Sequence, residues 1–285
     1  MPLHGAIAAS VTPLKDAARH LDEESLVRLT GFLAEAGIDG LLACGTTGEG
    51  VLLSVPERRR VTEVFLESRP PGFQIAVHAG AQTTADTVAL SAHALDAGAD
   101  AVAVIAPPYY LLDDEELFLH MRAAANACDP VPFYVYEFSG RSGYATPPEV
   151  IKRLHGEAPN LRGLKVSDTP FSAIEPYLDL GLELPGLNVF IGQEPLTLQG
   201  MERGAVGTVS GLASAWPDVV AQLGHDRSPE AHERVTQLRQ ALQGIPFHAA
   251  LKEVLVARRV ITYAEVRPPL RGLTDAERAS VLALA

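Results

Sequence analysis

Short apolar runs alternate with longer amphipathic stretches along most of the 285-residue chain. The runs fall at 6–11, 40–44, 74–78, 101–106, 133–136, 163–166, 188–191 and 207–209, and they are apolar at successive positions. A strand of that kind is buried on both faces, as in a parallel sheet covered by other layers. Between the runs, 23–36, 56–68, 84–97 and 114–127 read as helices. A proline or an acidic residue opens several of them, and Gly37 and Gly98 close two, where a left-handed residue is expected. Eight such units without an obvious edge strand predict an α/β fold of the (β/α)8 TIM-barrel type rather than an open doubly wound sheet.

After Gly211 the strand pattern stops, and 215–223, 230–244, 248–259 and 275–284 read as helices. The expected organisation is a barrel over 1–211 and a C-terminal helical extension over 212–285, packed on the barrel or on a neighbouring subunit. A single barrel of this type commonly takes roughly 250 residues.

Composition removes several classes of function. At 47% hydrophobic and 20% charged residues the chain can build a large core and is not disordered. No apolar stretch approaches the roughly 20 residues that span a bilayer, and the N-terminus lacks the basic segment of a signal peptide. A net charge of −12 disfavours nucleic acid and anionic membranes as partners. Cys44 and Cys128 stand in neither CxxC nor His–Cys spacing, which predicts two buried thiols, a reducing compartment and a cytoplasmic location. His78 and His93 fall in no HxH or HExxH pattern, so no metal is expected, and His78 reads as a hydrogen-bonded residue near the barrel mouth.

Reactive side chains are sought where barrel strands end. The second run ends in Cys44-Gly45-Thr46-Thr47-Gly48-Glu49-Gly50, whose glycines free backbone N–H groups and two hydroxyls to hold a carboxylate or phosphate. Alternatively it is a turn whose threonines cap the next helix. The sixth run carries Lys165 between apolar neighbours, where lost solvation favours the nucleophilic neutral amine. The bland alternative is a lysine that reaches solvent or pairs with Asp168. The fifth run ends at Tyr136, placed to relay protons, with Arg141 in the following loop. The fourth ends in Pro107-Pro108-Tyr109-Tyr110, aromatics that commonly form walls.

These residues together resemble the dihydrodipicolinate synthase/N-acetylneuraminate lyase family of class I aldolases. The match runs from Val11-Thr12-Pro13 to the C-terminal helices and is carried by Gly45-Thr46-Thr47-Gly48-Glu49, Tyr136, Gly163-Leu164-Lys165, Gly192 and Gly207-Thr208-Val209-Ser210. The resemblance implies a lyase with Lys165 as Schiff-base lysine, Tyr136 as proton donor and acceptor, and Thr46 as relay. It implies that Thr47 holds the pyruvate carboxylate, with Gly192 and the backbone of Val209 among the substrate contacts and Arg141 on the second substrate. Tyr110 would enter a neighbouring subunit's site, making a dimer the minimal active unit of a homotetramer. The chemistry takes small-molecule substrates and needs no cofactor.

Synthase members usually follow the strand-five tyrosine with Asn and Pro and carry Asn after the paired tyrosines. Here Glu137, Ser139 and Leu111 stand in those places. Lys165-Val166-Ser167-Asp168 and Pro268-Pro269-Leu270-Arg271 resemble the sugar-acid branch more closely. A 2-keto-3-deoxy sugar-acid aldolase is therefore the first expectation, and 4-hydroxy-tetrahydrodipicolinate synthase is the second. A non-catalytic 2-oxo-acid-binding barrel is a third reading, disfavoured by the intact lysine, tyrosine and threonines. A phosphate-ligand barrel is disfavoured because the loops after runs seven and eight contain a glutamate and no basic residue.

Overall fold

A computed structural model describes residues 2–285. Eight parallel strands form a closed barrel: β1 (Gly5–Ala9), β2 (Gly40–Ala43), β3 (Gln74–His78), β4 (Ala101–Ile105), β5 (Phe133–Glu137), β6 (Leu161–Val166), β7 (Asn188–Ile191) and β8 (Gly207–Ser210). Each pairs with its sequence neighbours, and the ring closes where Gly5 meets Gly207 in register. The strands coincide with the apolar runs to within two residues at either end. A short hairpin, Leu14–Lys15 with His20–Leu21, was not expected, because two-residue strands carry no pattern to read.

The double-sided apolarity has a direct cause. Ile7, Ala9, Leu42, Ala76, Ala103, Tyr134, Phe190 and Val209 point inward and form one buried cluster. Their sequence neighbours, among them Ala8, Leu41, Ile75, Val102, Val135 and Leu164, point outward under the helices. Inside the barrel large and small residues interdigitate. A Cβ on Gly163 would lie 2.1 Å from the Asn188 carbonyl oxygen and 2.8 Å from the Tyr134 ring, so that position accepts only glycine. The Tyr134 hydroxyl accepts from the Leu3 N–H at 2.9 Å and closes the lower end of the barrel.

The connecting helices are α1 (Glu23–Glu35), α2 (Val55–Ser68), α3 (Thr84–Ala97), α4 (Asp114–Ala127), α5 (Pro148–Glu157), α6 (Glu175–Glu183), α7 (Thr197–Glu202) and α8 (Pro217–Asp226). Several are capped as their sequences dictate: Ser54 and Asp113 form capping boxes with Glu57 and Glu116, and Gly98 ends α3 at φ 84°. Beyond α8 follow α9 (Pro229–Ala241), α10 (Phe247–Ala257) and α11 (Asp275–Leu282). Val235, Leu238, Leu251, Leu255 and Val281 from this tail join the same buried cluster as the outward faces of β1 to β3. Tail and barrel thus share one core. Both cysteines are buried and unbridged, and burial raises their thiols, Cys44 to about 11 and Cys128 to about 12. No helix among the described residues is long and apolar enough to cross a membrane.

Candidate active site

Strand parity sets which side chains enter the barrel. In β6 the outward residues are Leu164 and Val166, so Lys165 points inward, beside inward Tyr136 with which it is paired in register. Lys165 is 7% exposed, its Nζ lies 3.6 Å from the centre of the Tyr136 ring, and among the described residues it makes no hydrogen bond or ion pair. Asp168 is not its partner. That carboxylate accepts from the Ser139 N–H at 3.0 Å, the Ser139 hydroxyl at 2.9 Å and the Gly140 N–H at 3.4 Å. It thereby caps the single helical turn Ser139–Ser142 that presents Arg141. The Arg141 guanidinium stacks 5.3 Å above the Phe138 ring.

The glycine-rich loop brings Thr46 over this pair: its hydroxyl lies 3.1 Å from the Tyr136 hydroxyl. Cys44 and Glu49 at either end of the loop both adopt φ 56°, a left-handed conformation that costs a non-glycine residue about 1 kcal/mol or more. The threonines do not cap α2, a task that falls to Ser54. Instead the loop is clamped from the far end of the chain. Buried Glu49 accepts from the Lys252 ammonium at 2.5 Å and from the Arg267 N–H at 2.7 Å, and His248 Nε2 lies 2.9 Å from the Thr46 carbonyl oxygen. Burial lowers the pKa of Lys252 against the pull of Glu49, and lowers that of His248.

His78 ends β3, with Nδ1 3.2 Å from the Cys44 carbonyl oxygen and its ring edge-on to Tyr136 at 5.8 Å. Burial first, then the charges of Arg58 and Lys165, push its pKa down to about 3, so it is neutral throughout the physiological range.

Seven of the predicted residues line one cavity of about 360 Å³ at the C-terminal ends of the strands: Thr46, Thr47, Tyr136, Arg141, Lys165, Gly192 and Val209. Gly192 is there by necessity, since a Cβ would lie 2.0 Å from the Ser167 hydroxyl. Tyr110 is not brought to this cavity. It is 68% exposed and packs edge-on against Tyr109 at 4.9 Å. Further lining residues were missed, among them Ser167, which is next in inward parity after Lys165, Gln193, and Arg239, Phe247 and His248 from the tail. Nothing in the local sequence of α9 and α10 signals that they turn toward the barrel mouth.

Glu137 follows Tyr136 and therefore points away from the barrel axis. It is 1% exposed, Oε2 accepts from the Thr146 N–H at 2.8 Å, and Oε1 has no partner among the described residues. Burial, reinforced by neighbouring Asp168, raises its pKa from 4.5 to about 7. The folded protein thus holds this proton more tightly than the unfolded chain. The resulting stabilisation is complete below pH 4.5 and is lost as the pH rises through about 7. Glu137→Gln, which keeps an acceptor for Thr146, is expected to gain about 1–3 kcal/mol over the native protein above pH 8 and to match it near pH 5. Urea unfolding at the two pH values measures this; a gap that does not change with pH would show that Glu137 does not titrate there.

A sequence profile of the Dihydrodipicolinate synthetase family matches residues 2–285. The chain belongs to that family. An uncharacterised DapA-like lyase of Halobacterium salinarum is 32% identical, over 98% of this chain and 92% of its own. A 4-hydroxy-tetrahydrodipicolinate synthase of Methanopyrus kandleri is 30% identical, over 94% of this chain and 91% of its own. The crystal structure of dihydrodipicolinate synthase from Aquifex aeolicus matches with a TM-score of 0.90 at 25% identity, covering 99% of this chain and 97% of that one. Members of the dihydrodipicolinate synthetase family are pyruvate-dependent lyases and synthases, and this chain is an enzyme of that class.

Proposed function

We propose that the protein is a class I aldolase that cleaves or forms a 2-keto-3-deoxy sugar acid through a Schiff base on Lys165. The observation that carries this reading is the buried, unpaired Lys165 ammonium 3.6 Å from the Tyr136 ring, with the Tyr136 hydroxyl 3.1 Å from that of Thr46. The Lys165 amine, engaged by no carboxylate, is free to add to the C2 carbonyl. Loss of water, for which the Tyr136 phenol gives its proton to the departing hydroxyl, leaves the iminium and a Tyr136 phenolate. The C3–C4 bonding pair then moves into the iminium to form an enamine, while Tyr136 takes the C4 hydroxyl proton and the aldehyde leaves. Protonation at C3 and addition of water release pyruvate and restore the lysine. Thr47 is assigned to the substrate carboxylate and Thr46 to passing the tyrosine proton toward solvent, with Gly192 and Val209 as backbone contacts.

Ser167, Gln193 and His248 in the cavity wall suit a hydroxylated chain and support the sugar-acid reading. A second reading, condensation of pyruvate with aspartate semialdehyde, is favoured by Arg141 at the cavity mouth and by the activity named for the Methanopyrus kandleri relative. Borohydride reduction in the presence of pyruvate, followed by peptide mass spectrometry, tests the shared step. An adduct on Lys165 is expected. A folded protein that traps no 2-oxo acid would overturn both readings in favour of a non-catalytic binding barrel. Comparison of glyceraldehyde-type acceptors with aspartate semialdehyde then separates the two enzymes.

The active unit is proposed to be a dimer within a homotetramer. Val51, Tyr109, Tyr110 and Leu111 are 70%, 87%, 68% and 78% exposed, an apolar surface that a partner subunit would cover. With Tyr110 reaching the partner's Thr46–Tyr136 relay, Tyr110→Phe is expected to lower kcat about tenfold with the melting temperature unchanged. An unaltered kcat would remove Tyr110 from the relay.

A further inference from the structure

His248 and Lys252 stand four residues apart on α10 and therefore share one face of that helix, the face turned to the glycine-rich loop. Lys252 holds the Glu49 side chain at the end of the loop. His248 reaches further in. Its Nε2 donates at 2.9 Å to the Thr46 carbonyl oxygen, which also accepts from the Glu49 N–H at 3.1 Å. Burial keeps the His248 pKa low, so the ring is neutral and this contact is a hydrogen bond between uncharged groups. His248 and Thr47 both line the cavity of Lys165. Thr47 is 8% exposed, and its N–H has no hydrogen-bond partner among the described residues.

The Thr46–Thr47 peptide is trans. In a trans peptide the carbonyl of one residue and the N–H of the next lie in one plane and point in opposite directions. A donor that fixes the Thr46 carbonyl toward α10 therefore leaves the Thr47 N–H aimed away from that helix, unpaired, in the cavity wall. Donation into the carbonyl also polarises the amide and strengthens the same N–H as a donor. The Lys252 clamp does neither, because it ends on a side chain two residues beyond Thr47. We propose that His248 is a positioning residue for the 2-oxo acid: by holding the Thr46 carbonyl it orients the Thr47 N–H to receive the substrate carboxylate. It thus sets affinity for the keto acid rather than the rate of the covalent step. This inference rests on the Schiff-base reading above and on its assignment of the carboxylate to Thr47. The tail then governs recognition of the half of the substrate that stays on the lysine, and does so through one peptide unit of the barrel.

The test follows labelling of Lys165 by pyruvate and by pyruvamide with cyanoborohydride, as a function of ketone concentration. Pyruvamide keeps the reacting carbonyl and replaces the carboxylate with a neutral amide. In the native protein pyruvate is expected to half-saturate about 10- to 100-fold below pyruvamide, the size of a charge-assisted hydrogen bond. His248→Phe keeps a ring but no donor. It should raise the half-saturating pyruvate concentration about tenfold, and leave the value for pyruvamide and the maximal labelling rate within a few-fold of native. His248→Gln places an amide N–H within similar reach and should restore most of the difference. Glutamine carries no charge, so this rescue also excludes an imidazolium that attracts the carboxylate from a distance. His248→Leu gives the same reading should the phenyl ring disturb the fold. Loss of loop support alone would lower the melting temperature and the maximal rate and would weaken both ketones equally. That outcome, or unchanged half-saturation in both apolar variants, would overturn the proposal. A native protein that labels with neither ketone would instead overturn the Schiff-base reading on which the proposal stands.

Discussion

Lys165→Ala is expected to lose turnover by about a thousandfold or more and to give no borohydride adduct with pyruvate. The size of the effect follows from the absence of a substitute. The cavity wall holds no other lysine, His78 is neutral and turned to the Cys44 carbonyl, and Lys252 is committed to Glu49. Without the amine there is no iminium, and the electron pair of the breaking bond has no sink. Stability should change little, because Lys165 has no ion pair to lose and alanine stays within a barrel already lined by Ala76 and Ala103. Steady-state assay with the unfolding midpoint as control decides it: a folded Lys165→Ala protein that retains more than about a hundredth of native activity would exclude covalent catalysis through this residue.

Lys252→Met is expected to cost about 3–5 kcal/mol in stability, because it leaves the Glu49 carboxylate buried with only the Arg267 N–H as donor. In a chain of this length that lowers the melting temperature by roughly 10 °C. The loss should also reach catalysis. Glu49 ends the loop that carries Thr46 and Thr47, and its left-handed backbone is held in place by this clamp. A loosened loop moves the Thr46 hydroxyl away from Tyr136, and a shift of about 1 Å in a reacting group can cost about a hundredfold in rate. Adding Glu49→Gln to Lys252→Met should restore much of the stability, since a neutral amide is far cheaper to bury than an unpaired carboxylate. Thermal melts of the single and double variants measure both effects, and a single variant within 1 kcal/mol of the native protein would assign the clamp no part in holding the loop.

That Tyr136 and Lys165 face the barrel axis was legible because barrel strands obey a period of two. Once Phe133, Val135, Leu164 and Val166 are placed outward, Tyr136 and Lys165 must face the axis, and Glu137 must not. The shift in Glu137 was not legible, because it arises from burial beneath the segment that follows β5 and from the nearness of Asp168. Arg239 was hidden for another reason. It lies in a polar stretch of α9 whose surface looks solvated, and its partner Glu194 stands in a different βα loop. The one available sign was Glu194 itself, an acidic residue at a strand end with no basic neighbour in its own loop. Tyr110 lies exposed and away from the cavity, so no property of the chain's core could place it.

The clamp on the glycine-rich loop also bears on the order in which a newly made chain acquires its site. Glu49 and Lys252 lie 203 residues apart in the sequence. At a synthesis rate of about 5–20 residues per second, a nascent chain displays Glu49 for roughly 10–40 s before Lys252 has been made. The same delay applies to the first strand, which must wait for Gly207–Ser210 before it has a neighbour on its second edge. The site therefore cannot assemble progressively on the ribosome. It forms late, when the last helices arrive, so a chain cut short before α10 would present a strained and unclamped loop rather than a partly working enzyme.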